Sequence, residues 1–435
     1  MKAVLVNHRY YPYRGGSEVY VQQLAEWLVR CGWEAAVITT DAHDLEYFWD
    51  RNARRIDAPN REVLNGVEVR RLAIRHRLGG RYLFGGVRRG MGEASRVLRW
   101  AAPFRAASRF VPHIPELRAT LRSQVAADVI IATNLGIEGL ALEARDAARA
   151  LGVPFVLIPF AHLGDGENSV ARRYVSMPHH RELLRSADLV LTMTQLEAEF
   201  AARLGAATPQ VAVVGAGVHL SEVTCGDPKH IELIFGPSAF VVGALGALAA
   251  DKGTPDLVEA SRLLRERGVP IELVLAGPEL STFTAWMRER GADRWDWVHR
   301  PGMIDDHAKR ALLAGIDVLA MPSRTESFGI VYLEAWANSK PVVGAAVGAV
   351  REIITDEVDG LLVPFGDPEA LAAALARLAK SPALRDRLGT AGLRKVQAHY
   401  TWDRVLASIG EAFERVLGLH VRAVGGSAAD ERVGD

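Results

Sequence analysis

The sequence predicts an α/β protein of two doubly wound, Rossmann-like domains, each a parallel sheet with helices on both faces. Three observations support this. Short apolar runs of strand length alternate with helical stretches along most of the chain, and such alternation builds parallel sheets covered on both sides. The alternation falls into two series separated around residues 217–237. At 435 residues the chain is long enough for two cores of ordinary size.

In the first series, residues 2–7 form a short apolar strand, followed by a loop with Pro12, Gly15 and Gly16. A helix follows at once: Ser17 is expected as its N-cap, Val21, Leu24, Leu28 and Cys31 recur at helical spacing, and Gly32 stops it. Further strands are predicted at 35–39, 67–72, 128–132, 155–159, 189–193 and 211–214. The second series has strands at 240–245, 271–276, 298–300, 318–321, 342–344 and 361–363. An amphipathic stretch after Trp402 runs to about Leu417, and residues 421–435, rich in Gly, Ala and charge, are expected to be disordered. This divides the chain into a first domain at 1–218 and a second at 219–399. In such folds ligands bind outside the carboxyl ends of the strands, here in a cleft between the domains.

Composition narrows the function classes. The 52 basic residues balance 52 acidic ones, so no global attraction to nucleic acid is expected. Cys31 and Cys225 are too few and too separated for a disulfide framework or a structural zinc site, which favours a reducing cytoplasm. No run approaches the roughly 20 apolar residues of a membrane span, and the N-terminus reads as a strand instead of a secretory signal. One segment breaks the even charge. Residues 75–109 hold nine arginines and one acid, Glu93, interleaved with Tyr82, Phe84, Trp100 and Phe104. Basic and aromatic side chains together suit phosphates or lipid headgroups, so the segment reads as an acceptor-binding patch or a peripheral contact at the inner membrane face. An arginine-rich composition explains it without function.

The most informative stretch is 324–335, where Glu326 and Glu334 stand eight positions apart around a turn, Ser327-Phe328-Gly329, that opens a helix. A helix beginning near Phe328 offers unpaired N–H groups and a positive dipole end to a diphosphate. The flanking acids accept hydrogen bonds from sugar hydroxyls. Taken alone, two glutamates at a helix start read as solvated acids favoured by the macrodipole.

The frame around them is longer. It runs from Pro301-Gly302-Met303-Ile304 through 317–323 to Lys340-Pro341-Val342-Val343-Gly344, and it resembles the retaining glycosyltransferases of the GT-B architecture, in particular their large fourth family. That family's Glu-x7-Glu signature matches Glu326 and Glu334. Upstream, the apolar strand 240–245 leads to Asp251-Lys252-Gly253, and Lys252 matches the family's phosphate-binding lysine. The arginine that normally accompanies it falls on Ala247. This departure implies a weaker enzyme, an arginine supplied from elsewhere, or a donor bound differently. Gly217-Val218-His219 matches the family's linker with two departures, and 398–403 resembles the start of a terminal helix, at about 400–418, that crosses back onto the first domain.

The resemblance implies roles. Lys252 and the backbone of Ser327, Phe328, Gly329 and Ile330 would hold a nucleotide-sugar diphosphate, with Gly15 and Gly16 closing from the opposite domain. Glu334 would hold the ribose hydroxyls, and Ile304 would line the nucleobase pocket. Glu326 would lie beside the donor sugar and His162 would hydrogen-bond one of its hydroxyls, so that Glu326, His162 and Lys252 form the catalytic set. The family uses front-face attack, in which the leaving phosphate takes the acceptor proton. No metal and no cofactor is called for, because lysine and helix end neutralise the charge. Two other readings share the architecture: a sugar-nucleotide epimerase, and a sugar-nucleotide-binding protein with weakened catalysis, for which Ala247 is the support. Donor nucleobase, sugar and acceptor are open.

Overall fold

The computed structural model describes residues 1–76, 80–110, 112–164, 166 and 169–421. The disorder expected at 421–435 therefore lies, apart from Val421, outside the described residues, as does Arg77 of the basic segment.

The first sheet contains β1 (Lys2–Val6), β2 (Glu34–Thr40), β3 (Arg61–Leu64), β4 (Val67–Leu72), β5 (Val129–Thr133), β6 (Phe155–Ile158), β7 (Leu189–Thr192) and β8 (Val211–Val213). Their order is β3-β4-β2-β1-β5-β6-β7-β8. The second sheet contains β9 (Phe240–Leu245), β10 (Ile271–Ala276), β11 (Val298–Gly302), β12 (Val318–Met321), β13 (Val342–Ala345) and β14 (Gly360–Val363), in the order β11-β10-β9-β12-β13-β14. The two-domain α/β expectation is met, with one departure from a purely parallel plan. β3 is antiparallel to β4, Val63 standing opposite Glu68, across a turn whose residues Asn65 and Gly66 have φ of 50° and 83°. Two residues with positive φ make the tight hairpin turn whose twist matches the strands.

Every residue of β5, β7 and β12 is buried. Each such Val, Leu or Ile contributes roughly 1.5–3 kcal/mol over the exposed state. This burial on both faces explains why those strands read as continuous apolar runs. Central strands also fix the sites. The strand order reverses between β1 and β5 in one sheet and between β9 and β12 in the other, and loops leaving such switch points line the crevice where ligands sit.

The two halves are tied at the chain's end. Val218 N donates to the Tyr400 carbonyl over 2.9 Å, and the following helix, Trp402–Ala412, returns to the first domain. There the Trp402 ring lies 5.3 Å from Tyr20 of the helix Gly16–Arg30. A Cβ at Gly217 would come 2.7 Å from Trp402 N, so this crossing requires a residue without a side chain. A second tie is electrostatic: the Glu352 carboxylate accepts Gln195 N at 2.8 Å and Leu196 N at 2.7 Å, capping the first-domain helix Gln195–Leu204.

Candidate active site

Two loops of the second domain, one after β9 and one after β12, are laced together. Arg324 N donates to the Asp251 carbonyl at 2.8 Å, and Thr325 Oγ1 donates to Asp251 Oδ2 at 2.8 Å. Gly253, at φ 69°, passes so close that a Cβ there would lie 2.1 Å from the Pro322 carbonyl oxygen. The lacing delivers Lys252 to Glu326: Lys252 Nζ donates to Glu326 Oε1 and to the Thr325 carbonyl, each at 2.8 Å.

The helix that follows runs Ile330–Ala337, two positions later than a start near Phe328. Phe328 is buried, its ring 5.6 Å from Tyr400, and so belongs to the packing that joins the terminal crossing to the site. Gly329 caps the helix at φ 90°, and a Cβ there would lie 2.6 Å from the Tyr332 ring. The helix is pinned beneath by Tyr332 Oη, which donates to the Met321 carbonyl at 2.5 Å. Its first N–H groups have no intrahelical acceptor, and half-buried Glu326 and Ser327 lie just ahead of them in the chain. One turn in, Glu334 Oε1 accepts from Lys309 Nζ at 2.6 Å, a partner on the helix Asp306–Gly315. Ile304 precedes that helix and is partly buried against the second domain's core.

From the first domain, the loop after β1 reaches across. Gly15, not Ser17, is the N-cap of the helix Gly16–Arg30, and Ser17 lies in the first turn with its Oγ donating to Glu18 Oε2 at 3.0 Å. Sequence favours serine as a cap, but a Cβ at position 15 would meet that carboxylate at 2.4 Å. A Cβ at Gly16 would lie 3.8 Å from Ile330 Cδ1, which places this glycine over the start of the opposing helix. Beside it, Arg14 forms an ion pair across the cleft with Asp306.

His162 follows β6 and is open to the cleft, yet both domains surround it at longer range. Loss of bulk water there lowers its pKa, Lys252 lowers it further, and Glu326 and Asp251 oppose. Its loop is held by Glu197, whose carboxylate accepts Ala161 N at 2.6 Å and Met193 N at 2.7 Å. Burial pushes the Glu197 carboxyl up to about 7 against those two hydrogen bonds. The structure thus gathers Glu326, Lys252, His162, Gly16 and Ile330 in one place.

Sequence reasoning missed the polar floor on the first-domain side. Asn7 Oδ1 accepts from Thr133 Oγ1 at 2.6 Å and from Asn134 Nδ2 at 3.1 Å. His8 Nε2 lies 3.3 Å from Glu18 Oε1, which also accepts from Arg9 Nε at 2.9 Å. The signal available was a run of polar residues directly after an apolar strand.

Away from the cleft mouth, Glu138, His179 and His180 lie close enough to share an ion, all buried. The Arg88 guanidinium occupies that carboxylate at 2.7 and 2.8 Å, a cation already in place. With Ser108 they fasten four helices together. In the basic segment, Arg88, Arg105 and Arg109 pair with Glu138, Glu182 and Glu143 of later helices, and Arg96 pairs with the segment's own Glu93, so later acids offset part of the local charge. A surface cavity of about 880 Å³, lined by residues such as Pro154, Asp188 and Arg415, holds none of the site residues. No helix among the described residues is long and apolar enough to cross a membrane.

Comparison with known proteins bears on family and fold. Residues 232–395 match the family described as glycosyl transferases group 1, and residues 15–217 match the glycosyl transferase 4-like domain. Among curated relatives, a D-inositol 3-phosphate glycosyltransferase of Actinosynnema mirum is 32% identical over 250 residues, covering 53% of this chain and 58% of the relative. One of Segniliparus rotundus is 31% identical over 297 residues, covering 63% and 65%. The chain thus matches little more than half the length of the first of these. Among solved structures, Anabaena Alr3699/HepE in complex with UDP and glucose superposes with a TM-score of 0.68 at 18% identity, covering 95% of this chain and 99% of that one. Sucrose-phosphate synthase from Thermosynechococcus elongatus does so with a TM-score of 0.69 at 20% identity, covering 96% and 99%. The fold is GT-B.

Proposed function

The chain belongs to the glycosyl transferases group 1 family, and from that premise we propose that it moves a hexose from a nucleotide-diphosphate sugar to an acceptor with retention at the anomeric carbon. One observation carries the reading: Lys252 and Glu326 meet at 2.8 Å beside the start of the helix Ile330–Ala337, opposite Gly16. Helix amides and lysine receive the diphosphate, and charge developing on the leaving group is met by preorganised donors. Glu326 accepts a hydroxyl of the donor sugar, and His162, kept neutral by its depressed pKa, hydrogen-bonds another. Glu334 exchanges Lys309 for ribose hydroxyls, and Ile304 lies against the base. Retention follows from front-face attack, the leaving phosphate taking the acceptor proton. Lysine and helix supply the positive charge that a divalent ion supplies elsewhere, so the reaction is read as metal-independent.

UDP and UDP-glucose, the ligands of the HepE structures, are the first donors to try, with GDP and ADP sugars in parallel. The test is nucleotide release from a donor panel. Release that requires an acceptor supports transfer; a changed sugar without release means isomerisation; binding without turnover means a protein that kept only the donor site.

The acceptor side carries the remaining part of the reading, a cytoplasmic enzyme touching the inner membrane face through residues 75–109. Within and beside that segment Tyr82, Val97, Trp100 and Phe110 are exposed, a grouping of large apolar side chains that interfacial contact would cover. Sedimentation with anionic vesicles at low salt tests it, and absence of binding removes the membrane part alone.

A further inference from the structure

The donor site is short of positive charge. Lys252 pairs with Glu326 and Lys309 with Glu334, so these two lysines beside the start of the helix Ile330–Ala337 are already neutralised by acids. A departing nucleoside diphosphate brings further negative charge, and the helix end offers only about half a unit against it. The position that the family resemblance assigns to an arginine is Ala247.

Several other described arginines around the cleft have partners within their own domain. Arg300 Nη1 donates to Glu279 at 3.0 Å, the Arg324 guanidinium lies 5.7 Å from the Phe365 ring, and Arg351 donates to the Ala346 carbonyl. Arg9 is buried with Glu18. Arg14 differs. It directly precedes Gly15 and Gly16, the loop that stands over Ile330, and its partner Asp306 belongs to the opposite domain. Both side chains of that pair are about half exposed, at 55% and 51%, and an ion pair in such surroundings binds weakly and exchanges readily.

We infer that Arg14 is the second cation of the donor site, replacing in space the arginine that Ala247 lacks in sequence. Its guanidinium rests on Asp306. When a donor enters, its guanidinium leaves that carboxylate for the diphosphate, where planar bidentate donation is strong. The charge arrives from the first domain, so donor binding also draws the glycine loop onto the helix start. The inference rests on the glycosyl-transfer reading and deepens it.

The experiment is calorimetric titration of the full chain with UDP, GDP and ADP and with the matching nucleosides. Arg14→Ala should weaken the diphosphate that binds wild type by about tenfold or more, and leave the nucleoside unchanged. Asp306→Asn separates this role from a plain latch between domains: it should bind the diphosphate at least as tightly as wild type. Ala247→Arg added to Arg14→Ala should restore most of the loss. Wild-type affinity in Arg14→Ala overturns the inference, as does a loss in Asp306→Asn equal to that in Arg14→Ala. If wild type binds none of the three diphosphates, the glycosyl-transfer reading itself falls.

Discussion

Lys252 Nζ and Glu326 Oε1 stand 2.8 Å apart although 74 positions separate them, and Asp251 ties the two loops that bring them together. The pair is partly buried, so removing either partner leaves the other poorly compensated. Glu326→Ala should abolish transfer with the fold intact, and Lys252→Ala should cut kcat by about a hundredfold or more. Steady-state kinetics beside circular dichroism tests both, and near-normal turnover by Glu326→Ala would overturn the assignment.

Glu334 should act on affinity more than on chemistry. Glu334→Gln loses the charged partner of Lys309 but keeps its shape. We expect the donor KM to rise about tenfold while kcat changes little, since hydroxyl contacts far from the reacting carbon bind ground and transition states alike. A fall in kcat at unchanged KM would contradict this role.

Gly329→Ala probes the helix start without altering charge. Its φ of 90° and the Tyr332 ring, 2.6 Å from any Cβ there, both oppose a side chain. The cost is about 1–3 kcal/mol, expected as a lowered Tm together with weaker nucleoside diphosphate binding. An unchanged Tm would mean that the turn relaxes freely.

Acid should destabilise the protein through two buried histidines. Burial, aided by Arg9 and opposed by Glu18, depresses His8 to about 4. Burial, aided by His179 and Arg88 and opposed by Glu138, does the same for His180. In the unfolded chain both titrate near 6.5. Between these values the unfolded state binds protons that the folded state refuses, so stability is full above pH 6.5 and lost as pH falls towards 4. Each histidine accounts for about 3 kcal/mol. Glu197, raised to about 7, works in the opposite direction and adds stability as pH falls towards 4.5. Melting curves from pH 7.5 to 4.5 should therefore slope by the excess of the two histidines over that one carboxyl, and His180→Phe, or His8→Asn if that variant fails to fold, should flatten the slope. A wild-type Tm constant across the range would contradict it.

Much of this was legible beforehand, for physical reasons. Strands buried on both faces must be apolar throughout, which is why β5, β9 and β12 stand out as uninterrupted runs. The turn that holds Glu326 and Glu334 is local, so its spacing survives in sequence order. β3 was missed although Asn65-Gly66 is a strong hairpin signal, because Arg61 and Glu62 hide a strand that lies at an edge. Propensity favours Ser17 as the cap because it cannot see that Gly15 abuts a carboxylate three residues on. Partners such as Lys309 for Glu334, 25 positions away, or Glu352 for the amides of Gln195 and Leu196, 157 and 156 positions away, are encoded by no periodicity.

The carboxylate of Glu352 has a meaning for engineering. Exchanging donor specificity by grafting a foreign second half onto this first half would leave the amides of Gln195 and Leu196 facing whatever residue the graft supplies. The hybrid would keep both cores yet lose one of the fastenings between them. Position 352, together with the returning segment from Tyr400 onward, therefore has to travel with any transplanted lobe.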